Sequence, residues 1–261
     1  QNGVRQGGNL SPKLFNVYID SLLSAVREMR IGCSIGSCAI NIIAYADDIV
    51  LLAPTRSALQ ALVTRCEQIA LDLDIVFNTK KTVCMMFLPQ KPYSMTHLGS
   101  SQPGQIHLNG HKLAWVDEFK YLGHVISRNL EDSADMRRVK RFLYYSTNMI
   151  CAKLGFADRH VLVKLFRSFC MNMYGCELWS MTGCKRSMRE LYVAYHSCLK
   201  KLVRVPRYAR NHNLCCELRL LTCPMLVANR QLVFWQRITG NQNDMVKSVA
   251  STVDGLIAKN H

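Results

Sequence analysis

Long apolar runs and acidic residues are both scarce in this sequence. No apolar run reaches the about 18 residues that a membrane-spanning helix requires, so a membrane partner is not predicted. Acidic residues number 18 against 33 Lys and Arg, which gives a net charge of +15. This excess favours a polyanionic partner, and nucleic acid is the usual one.

Short Cys-x-x-Cys spacings are absent as well, although the sequence has 12 cysteines. Their irregular spacing and their positions in apolar helical patterns are typical of reduced thiols that pack as small hydrophobic residues in a cytosolic or nuclear protein. A zinc site remains an alternative at two Cys/His groups, neither of which has the usual spacing. The groups are His212, Cys215, Cys216 and Cys223, and Cys176, Cys184, His196 and Cys198.

The chain also has no initiator methionine and no signal peptide at its start. Gln1-Asn2-Gly3 resembles the interior of a longer protein, so we expect a fragment or the product of a truncated element.

The pattern of residues 1–128 predicts helices mixed with antiparallel strands. Ser11-Pro12 predicts a helix start with Ser11 as the cap and an end near Gly32. A second helix is predicted after Thr55, and residues 89–105 are predicted to be a loop. Strands are predicted at 39–44, 49–53, 83–88 and 119–126, with a hairpin at Asn109-Gly110.

Residues 129–261 have a different character. Helical periodicity covers 131–153, 158–174, 186–204 and 224–239. This half holds 21 Lys/Arg against 9 Asp/Glu, whereas residues 1–128 hold 12 against 9. The second half is therefore predicted to be a basic helical bundle that contacts a phosphate backbone.

Asp47 and Asp48 are adjacent carboxylates between two apolar runs. A buried ionised carboxylate is unfavourable unless it is paired or binds a metal, and Mg²⁺ is commonly held by one or two carboxylates together with substrate phosphates. A hairpin turn presents such groups from a rigid base. The alternative is a solvated turn, because turns favour Asp in any case.

Four motifs in order resemble those of reverse transcriptases from non-LTR (LINE-type) retrotransposons. Tyr45-Ala46-Asp47-Asp48 matches the YADD box, and residues 3–12 (GVRQGGNLSP) match the QG/LSP box that precedes it. Residues 77–82 (FNTKKT) resemble the following Asn-x-x-Lys-Thr motif, and residues 119–123 (FKYLG) resemble the primer grip. The resemblance covers roughly residues 1–128.

The resemblance implies a role for each matching residue. Asp47 and Asp48 are the expected catalytic and metal-binding residues, with Mg²⁺ (or Mn²⁺) as cofactor. Lys81 is expected to assist pyrophosphate departure, with Lys80 as a rival. Gln6, Gly7 and Tyr45 are expected near the nucleotide, the template and the primer end. The expected primer grip is Tyr121, Leu122 and Gly123, and the expected nucleic-acid backbone contacts are Arg137, Arg138 and Arg141.

One departure from the family is expected to matter. Family members carry another essential aspartate on a strand upstream of these motifs, together with a fingers region, and neither matches a segment here. We therefore expect the chain alone not to polymerise. A non-catalytic nucleic-acid-binding remnant remains an alternative. A viral RNA-dependent RNA polymerase is disfavoured, because that class usually has Gly-Asp-Asp where Ala46 stands.

The sequence therefore predicts an α+β fold. Residues 1–128 are expected to form a partial polymerase palm with an antiparallel sheet, and residues 129–261 an all-helical basic thumb and connection region. The expected function is RNA-directed DNA polymerisation by the parent protein. The expected partners are an RNA template, a DNA primer and dNTP, in a ribonucleoprotein of the nucleus and cytoplasm.

Overall fold

The computed structural model describes residues 7–36, 38–87, 104–180 and 184–258, which divide into two compact units. The first unit contains the described residues up to 86, residues 104–116 and those from 241 onward. The second contains residue 87 and residues 117–240. The predicted domain division at 128/129 stays a prediction.

The described residues form helices and short strands, as expected for an α+β fold. The helices are α1 (Ser11–Glu28), α2 (Arg56–Asp72), α3 (Ser133–Leu154), α4 (Arg159–Leu165), α5 (Lys185–Leu202), α6 (Asn211–Glu217), α7 (Cys223–Thr239) and α8 (Asp244–Ala258). The strands are β1 (Cys33–Ile35), β2 (Cys38–Ile40), β3 (Ile42–Tyr45), β4 (Asp48–Leu51), β5 (Val83–Cys84), β6 (His107–Leu108), β7 (His111–Lys112), β8 (Ala114–Trp115), β9 (Glu118–Tyr121) and β10 (His124–Ser127).

Among the described residues, the strands pair as five separate two-stranded sheets. Four pairs are antiparallel, in agreement with the predicted strand direction, but β5 and β8 pair in parallel. The single strand predicted over 119–126 is wrong: Leu122 and Gly123 form a turn that divides it into β9 and β10.

The core of the first unit lies between α1, α2 and the β3–β4 hairpin. Apolar residues recur every three or four positions on each helix, so one face of each is buried. Leu22 and Leu62 are fully buried, and each contributes about 1.5–3 kcal/mol through removal of its side chain from water. The N-terminus of α2 is capped by the Thr55 hydroxyl, which accepts a hydrogen bond from the Ala58 N–H.

The start of α1 differs from its prediction. Leu10, rather than Ser11, occupies the cap position, and its side chain makes no capping hydrogen bond. Pro12 does lie in the first turn, as predicted.

The second unit is mainly helical, and α3 packs along α5. Its core includes Leu143, Phe166, Leu191, Tyr195 and Leu199, all nearly inaccessible to solvent. The helix predicted over 158–174 is shorter in the structure. The α-helix α4 ends at Leu165, and one π-helical turn follows it over Phe166–Cys170. The helices α6 and α8 were not predicted. No described helix is both long and apolar enough to cross a bilayer.

Candidate active site

The β3–β4 hairpin presents Asp47 and Asp48 at its tip. Tyr45 pairs directly with Asp48, so that only Ala46 and Asp47 form the loop, and the register continues to Ile42 opposite Leu51. Ala46 has φ +52, whereas φ of Asp47 is not positive. A positive φ at the first loop residue alone is the φ pattern of a type II′ turn, which suits the twist of a two-residue hairpin.

Both carboxylates are exposed, and neither forms an ion pair or side-chain hydrogen bond with another described residue. The flanking apolar runs have ended where the turn begins, so both carboxylates remain in contact with solvent. The site consists of two exposed acidic side chains on a short hairpin turn. Tyr45, which pairs with Asp48 in the same hairpin, is 65% exposed.

A buried amide fixes the base of this hairpin against α1. Asn41 is 1% exposed, and its Nδ2 donates a 2.8 Å hydrogen bond to the carbonyl oxygen of Val26 near the end of the helix. The backbone carbonyl oxygen of Asn41 accepts a hydrogen bond from the Leu52 N–H at 2.9 Å. Gly32 has φ +133, and a Cβ there would lie 2.4 Å from the Asn41 Cβ. Asn41 was not predicted as a structural residue, although a single amide inside an apolar run is a detectable signal.

The residues before α1 are described from Gly7 onward, and the predicted site residue Gln6 lies outside the described residues. Gly7 has φ +83, a conformation that suits glycine, and a Cβ at this position would meet nothing within 4 Å. Among the described residues, none therefore blocks the close approach of a ligand to the backbone at Gly7.

Asn78 organises the turn that carries Lys80 and Lys81. Its Oδ1 accepts hydrogen bonds from the backbone N–H groups of Lys80 at 3.1 Å and Lys81 at 3.2 Å. Its carbonyl oxygen accepts from the Thr82 hydroxyl at 2.9 Å. These bonds explain the Asn and Thr of the motif as turn-forming residues. Both lysine side chains are exposed, and the choice between them stays open.

In the second unit, Tyr121, Leu122 and Gly123 form the tip of the β9–β10 hairpin. Leu122 and Gly123 both have positive φ, +46 and +83, which is the φ pattern of a type I′ turn. The Tyr174 Oη donates a 2.9 Å hydrogen bond to the Leu122 carbonyl oxygen. A Cβ at Gly123 would lie 3.1 Å from the Tyr174 ring, so the ring covers the turn closely.

A fully buried carboxylate, Asp135, joins this hairpin to α3. The Val125 N–H donates to Asp135 Oδ1 at 2.9 Å, and His124 Nδ1 lies 3.2 Å from Oδ2. Arg138 Nε donates to Asp135 Oδ1 at 2.6 Å, and Trp179 Nε1 donates to Asp135 Oδ2 at 2.9 Å. Burial alone raises the pKa of Asp135, but the close contact with His124 and the hydrogen bonds from Arg138, Val125 and Trp179 outweigh it and hold the pKa below its usual range.

Gly175 lies directly against this network. Its φ is +89, and a Cβ there would lie 2.6 Å from His124 Nδ1 and 3.5 Å from Asp135 Oδ2. No side chain fits without displacing the imidazole. Neither Gly175 nor Asp135 was predicted to have a role, because their contacts join residues about 40 positions apart in the chain.

The three predicted backbone-contacting arginines on α3 differ in their surroundings. Arg138 holds Asp135 and also donates to the Tyr174 carbonyl oxygen at 2.7 Å. Arg137 pairs with Glu118 at 3.1 Å, with about half of each side chain exposed. Arg141 is exposed and has no described ion pair. This geometry favours Arg137 and Arg141 over Arg138 for contact with a phosphate.

Neither Cys/His group forms a cluster suited to zinc within the described ranges. His212 Nε2 and Cys216 Sγ lie 3.5 Å apart on α6, whereas Cys215 and Cys223 are buried in the apolar core of the second unit. Burial raises the pKa of Cys215 and Cys223, and it raises the pKa of Cys176 to about 12. The buried cysteines therefore act as neutral packing residues, as their apolar surroundings indicated.

Comparison with known proteins identifies relatives of the first part of the chain. Residues 1–126 match the family model described as "Reverse transcriptase (RNA-dependent DNA polymerase)". The "Retrovirus-related Pol polyprotein from type-2 retrotransposable element R2DM" of Drosophila melanogaster is 35% identical over 123 residues. The corresponding type-1 element R2 polyprotein of Nasonia vitripennis is 31% identical over 154 residues.

A further relative extends over nearly all of this chain. The "RNA-directed DNA polymerase from mobile element jockey" of Drosophila funebris is 22% identical over 94% of the chain. The Drosophila melanogaster and Nasonia vitripennis relatives match 46% and 52% of this chain. The chain spans only 11%, 14% and 26% of the length of these three relatives, in the order given. No solved structure is significantly similar to it.

Proposed function

The chain belongs, through residues 1–126, to the reverse transcriptase family of non-LTR retrotransposons, and from this premise we propose that its parent protein polymerises DNA on an RNA template. The observation that carries the proposal is that two adjacent carboxylates, Asp47 and Asp48, are exposed at the tip of the β3–β4 hairpin. This tip lies in the motif that the family match includes. A non-catalytic remnant is not favoured by these relatives.

The donor set at the hairpin tip fits a divalent cation. Asp47 and Asp48 offer adjacent carboxylate oxygens, which are hard ligands of the kind that Mg²⁺ or Mn²⁺ prefers. We assign both residues to metal binding, with Asp47 in the loop as the more direct ligand. When bound, the metal supplies charge stabilisation at the primer 3′ oxygen and at the departing pyrophosphate.

The other residues of the first unit have supporting roles in this proposal. The open backbone at Gly7 admits the incoming dNTP or the template base next to Gln6. Tyr45 lies beside the carboxylates and supports the primer end. Lys81, with Lys80 as the alternative, donates charge or a proton to pyrophosphate from the turn that Asn78 holds.

The second unit is proposed to hold the nucleic acid. The hairpin tip at Tyr121, Leu122 and Gly123 acts as the primer grip, supported by Tyr174 and the Asp135 network. Arg137 and Arg141 contact backbone phosphates without reading sequence. We place the parent protein in a ribonucleoprotein of the nucleus and cytoplasm, and we keep the palm and thumb assignments of the two halves as part of the proposal.

Primer extension on an RNA template tests the proposal. The chain and a longer protein from the same reading frame are each assayed with Mg²⁺, with and without the Asp47→Asn substitution. In the longer protein we expect Asp47→Asn to reduce extension at least about a hundredfold, because changes to residues that only orient metal ligands already cost 10–100-fold. The chain alone is expected to give no extension, with or without the substitution. Asp72→Asn removes an exposed carboxylate at the end of α2 and serves as the control.

Metal binding provides a readout that does not need extension. Mn²⁺ broadens the NMR signals of nearby amides, so we expect selective loss of the Ala46, Asp47 and Asp48 signals in the wild-type chain. Asp47→Asn should raise the Mn²⁺ concentration that is required, whereas Asp72→Asn should not. Equal extension by the wild-type and Asp47→Asn forms of the longer protein, or broadening unrelated to the hairpin, would contradict the assignment.

A further inference from the structure

A basic cavity of about 770 Å³ opens in the second unit beside the C-terminal end of α5. Residues of α3 form one side, and α5 with the turn that follows it forms the other. The residues that matter here are Tyr144, Asn148, Lys200, Lys201, Arg204 and Arg207. None of the residues that line the cavity is acidic, so the four cations create an uncompensated positive site.

The lysines keep their charge available. Lys200 Nζ donates to the Arg207 carbonyl oxygen and Lys201 Nζ donates to Asn148 Oδ1, each at 2.8 Å. Both acceptors are neutral, and an ammonium group has three donors, so each lysine has donors left for a ligand. No described ion pair involves any of the four cations.

Arg204 occupies a position that normally favours glycine. The Val205 N–H donates to the Lys200 carbonyl at 3.1 Å and the Arg204 N–H to the Lys201 carbonyl at 3.4 Å, which is the Schellman pattern at a helix end. Arg204 has φ +57 at the left-handed position of this motif. The dipole of α5 accounts for Lys200 and Lys201 in its last turn, but it does not account for a strained arginine beyond the helix.

The dimensions and chemistry favour a single strand over a duplex. A cavity of this volume admits about one nucleotide, whereas a duplex presents its phosphates on a broad convex surface. Tyr144, 44% exposed at the cavity wall, offers a face on which a base can stack. A positively charged groove with an aromatic wall is the usual combination for single-stranded nucleic acid.

We propose that this cavity binds a single-stranded segment of nucleic acid, with phosphates at Lys201, Arg204 and Arg207 and one base against Tyr144. The proposal does not rest on the polymerase assignment, because it uses no residue of the hairpin at Asp47. Binding here would hold an unpaired stretch of RNA or DNA on the second unit.

Fluorescence anisotropy with a labelled ten-nucleotide single-stranded RNA tests the proposal on the full chain, in EDTA and over a range of NaCl concentrations. We expect the double variant Arg204→Gln/Arg207→Gln to bind about tenfold or more weakly, with a shallower salt dependence by about one to two units of log–log slope. Tyr144→Leu should weaken binding about fivefold or more with an unchanged slope.

The control is Arg186→Gln/Arg189→Gln, which removes the same number of charges near the N-terminal end of α5, roughly 20 Å along the helix axis from Lys200 and Lys201. We expect it to change the affinity less than threefold. An equal loss of RNA affinity in the control and in the cavity variant would overturn the proposal, since it would indicate general charge attraction. Tighter binding of a duplex of equal length, lost through the same cavity variant, would overturn it as well.

Arg204→Gly separates binding from folding. Glycine suits the left-handed position, so the melting temperature should rise while the affinity for the RNA falls about threefold or more. An unchanged RNA affinity in this folded and more stable variant would count against the cavity.

Discussion

The Tyr174 hydroxyl donates a hydrogen bond to the Leu122 carbonyl, and its ring lies against Gly123. This contact fixes a turn in which a leucine has positive φ, a conformation that costs roughly 1–2 kcal/mol for residues with a side chain. The strained tip of the β9–β10 hairpin is therefore held from outside, by a residue about 50 positions later in the chain.

Tyr174→Phe should loosen the hairpin tip while leaving the helices intact. The ring remains, but the hydrogen bond to the Leu122 carbonyl is lost, at a cost of about 1 kcal/mol. Hydrogen exchange should become faster at the amides of β9 and β10, with little change in α5. Tyr208→Phe, at an 89% exposed tyrosine, is the control and should change neither. Unchanged exchange in Tyr174→Phe would show that the phenol does not hold the turn.

Asp135→Asn should destabilise the second unit by about 3 kcal/mol, because it leaves the partly buried Arg138 without its anionic partner. Urea unfolding measures this change. Asp158→Asn is the control: Asp158 is exposed at the start of α4 and makes no capping hydrogen bond, so its loss should cost less than about 0.5 kcal/mol. Similar effects of the two substitutions would contradict the central role of Asp135.

The pH dependence of stability should also depend on Asp135. Its pKa in the folded protein lies below the ordinary value of 3.8, so the unfolded chain binds the proton more readily. The stabilisation is therefore complete above about pH 5 and is lost as the pH falls through 3.8 toward the lowered pKa. The difference in unfolding free energy between wild type and Asp135→Asn should be smaller at pH 3 than at pH 5. A constant difference throughout would contradict this linkage.

Gly175→Ala should cost roughly 2–4 kcal/mol in unfolding free energy, since it combines an unfavourable φ with a steric clash against His124. Gly110→Ala separates the two effects. Gly110 also has positive φ, but a Cβ there meets nothing within 4 Å, so we expect a loss of only about 1 kcal/mol. Equal losses at the two positions would mean that the close approach to the Asp135 network is unimportant.

Ala46→Gly should stabilise the first unit by up to about 1 kcal/mol. Glycine relieves the positive φ of Ala46, and this gain exceeds the added flexibility of the unfolded chain. Ala44→Gly, the same substitution in the preceding strand, should destabilise the unit by about 0.5–1 kcal/mol. Urea titrations of both variants give the two signs, and a loss of stability in Ala46→Gly would rule out a strained loop.

Local patterns predicted the elements whose signals lie close together in sequence. Thr55 precedes a regular apolar stripe, and α2 begins after it as expected. Asn109-Gly110 lies between two short apolar segments and forms the predicted hairpin. The apolar runs on either side of Tyr45–Asp48 predicted a tight turn between two strands, which β3 and β4 form. The single strand predicted over 39–44 is wrong: it is divided at Asn41, because β2 pairs with β1 and β3 pairs with β4.

Features that depend on distant residues were not predictable in this way. Asp135 looks like an ordinary acidic residue in the first turn of a helix, where the helix dipole favours it. Its burial depends on Trp179 and on the space that Gly175 leaves, and neither is signalled by the sequence around α3. The parallel pairing of β5 with β8 likewise joins segments about 30 residues apart.

The register of the β3–β4 hairpin limits how its length can change. Ile42 is 4% exposed and its neighbour Ile43 is 38% exposed, so successive side chains alternate between core and solvent. Inserting or deleting one residue at Ala46-Asp47 would shift the pairing by one position and exchange these faces. We expect this loop to accept substitutions but to resist single-codon insertions and deletions, which a library of length variants would reveal as an abrupt loss of folded protein.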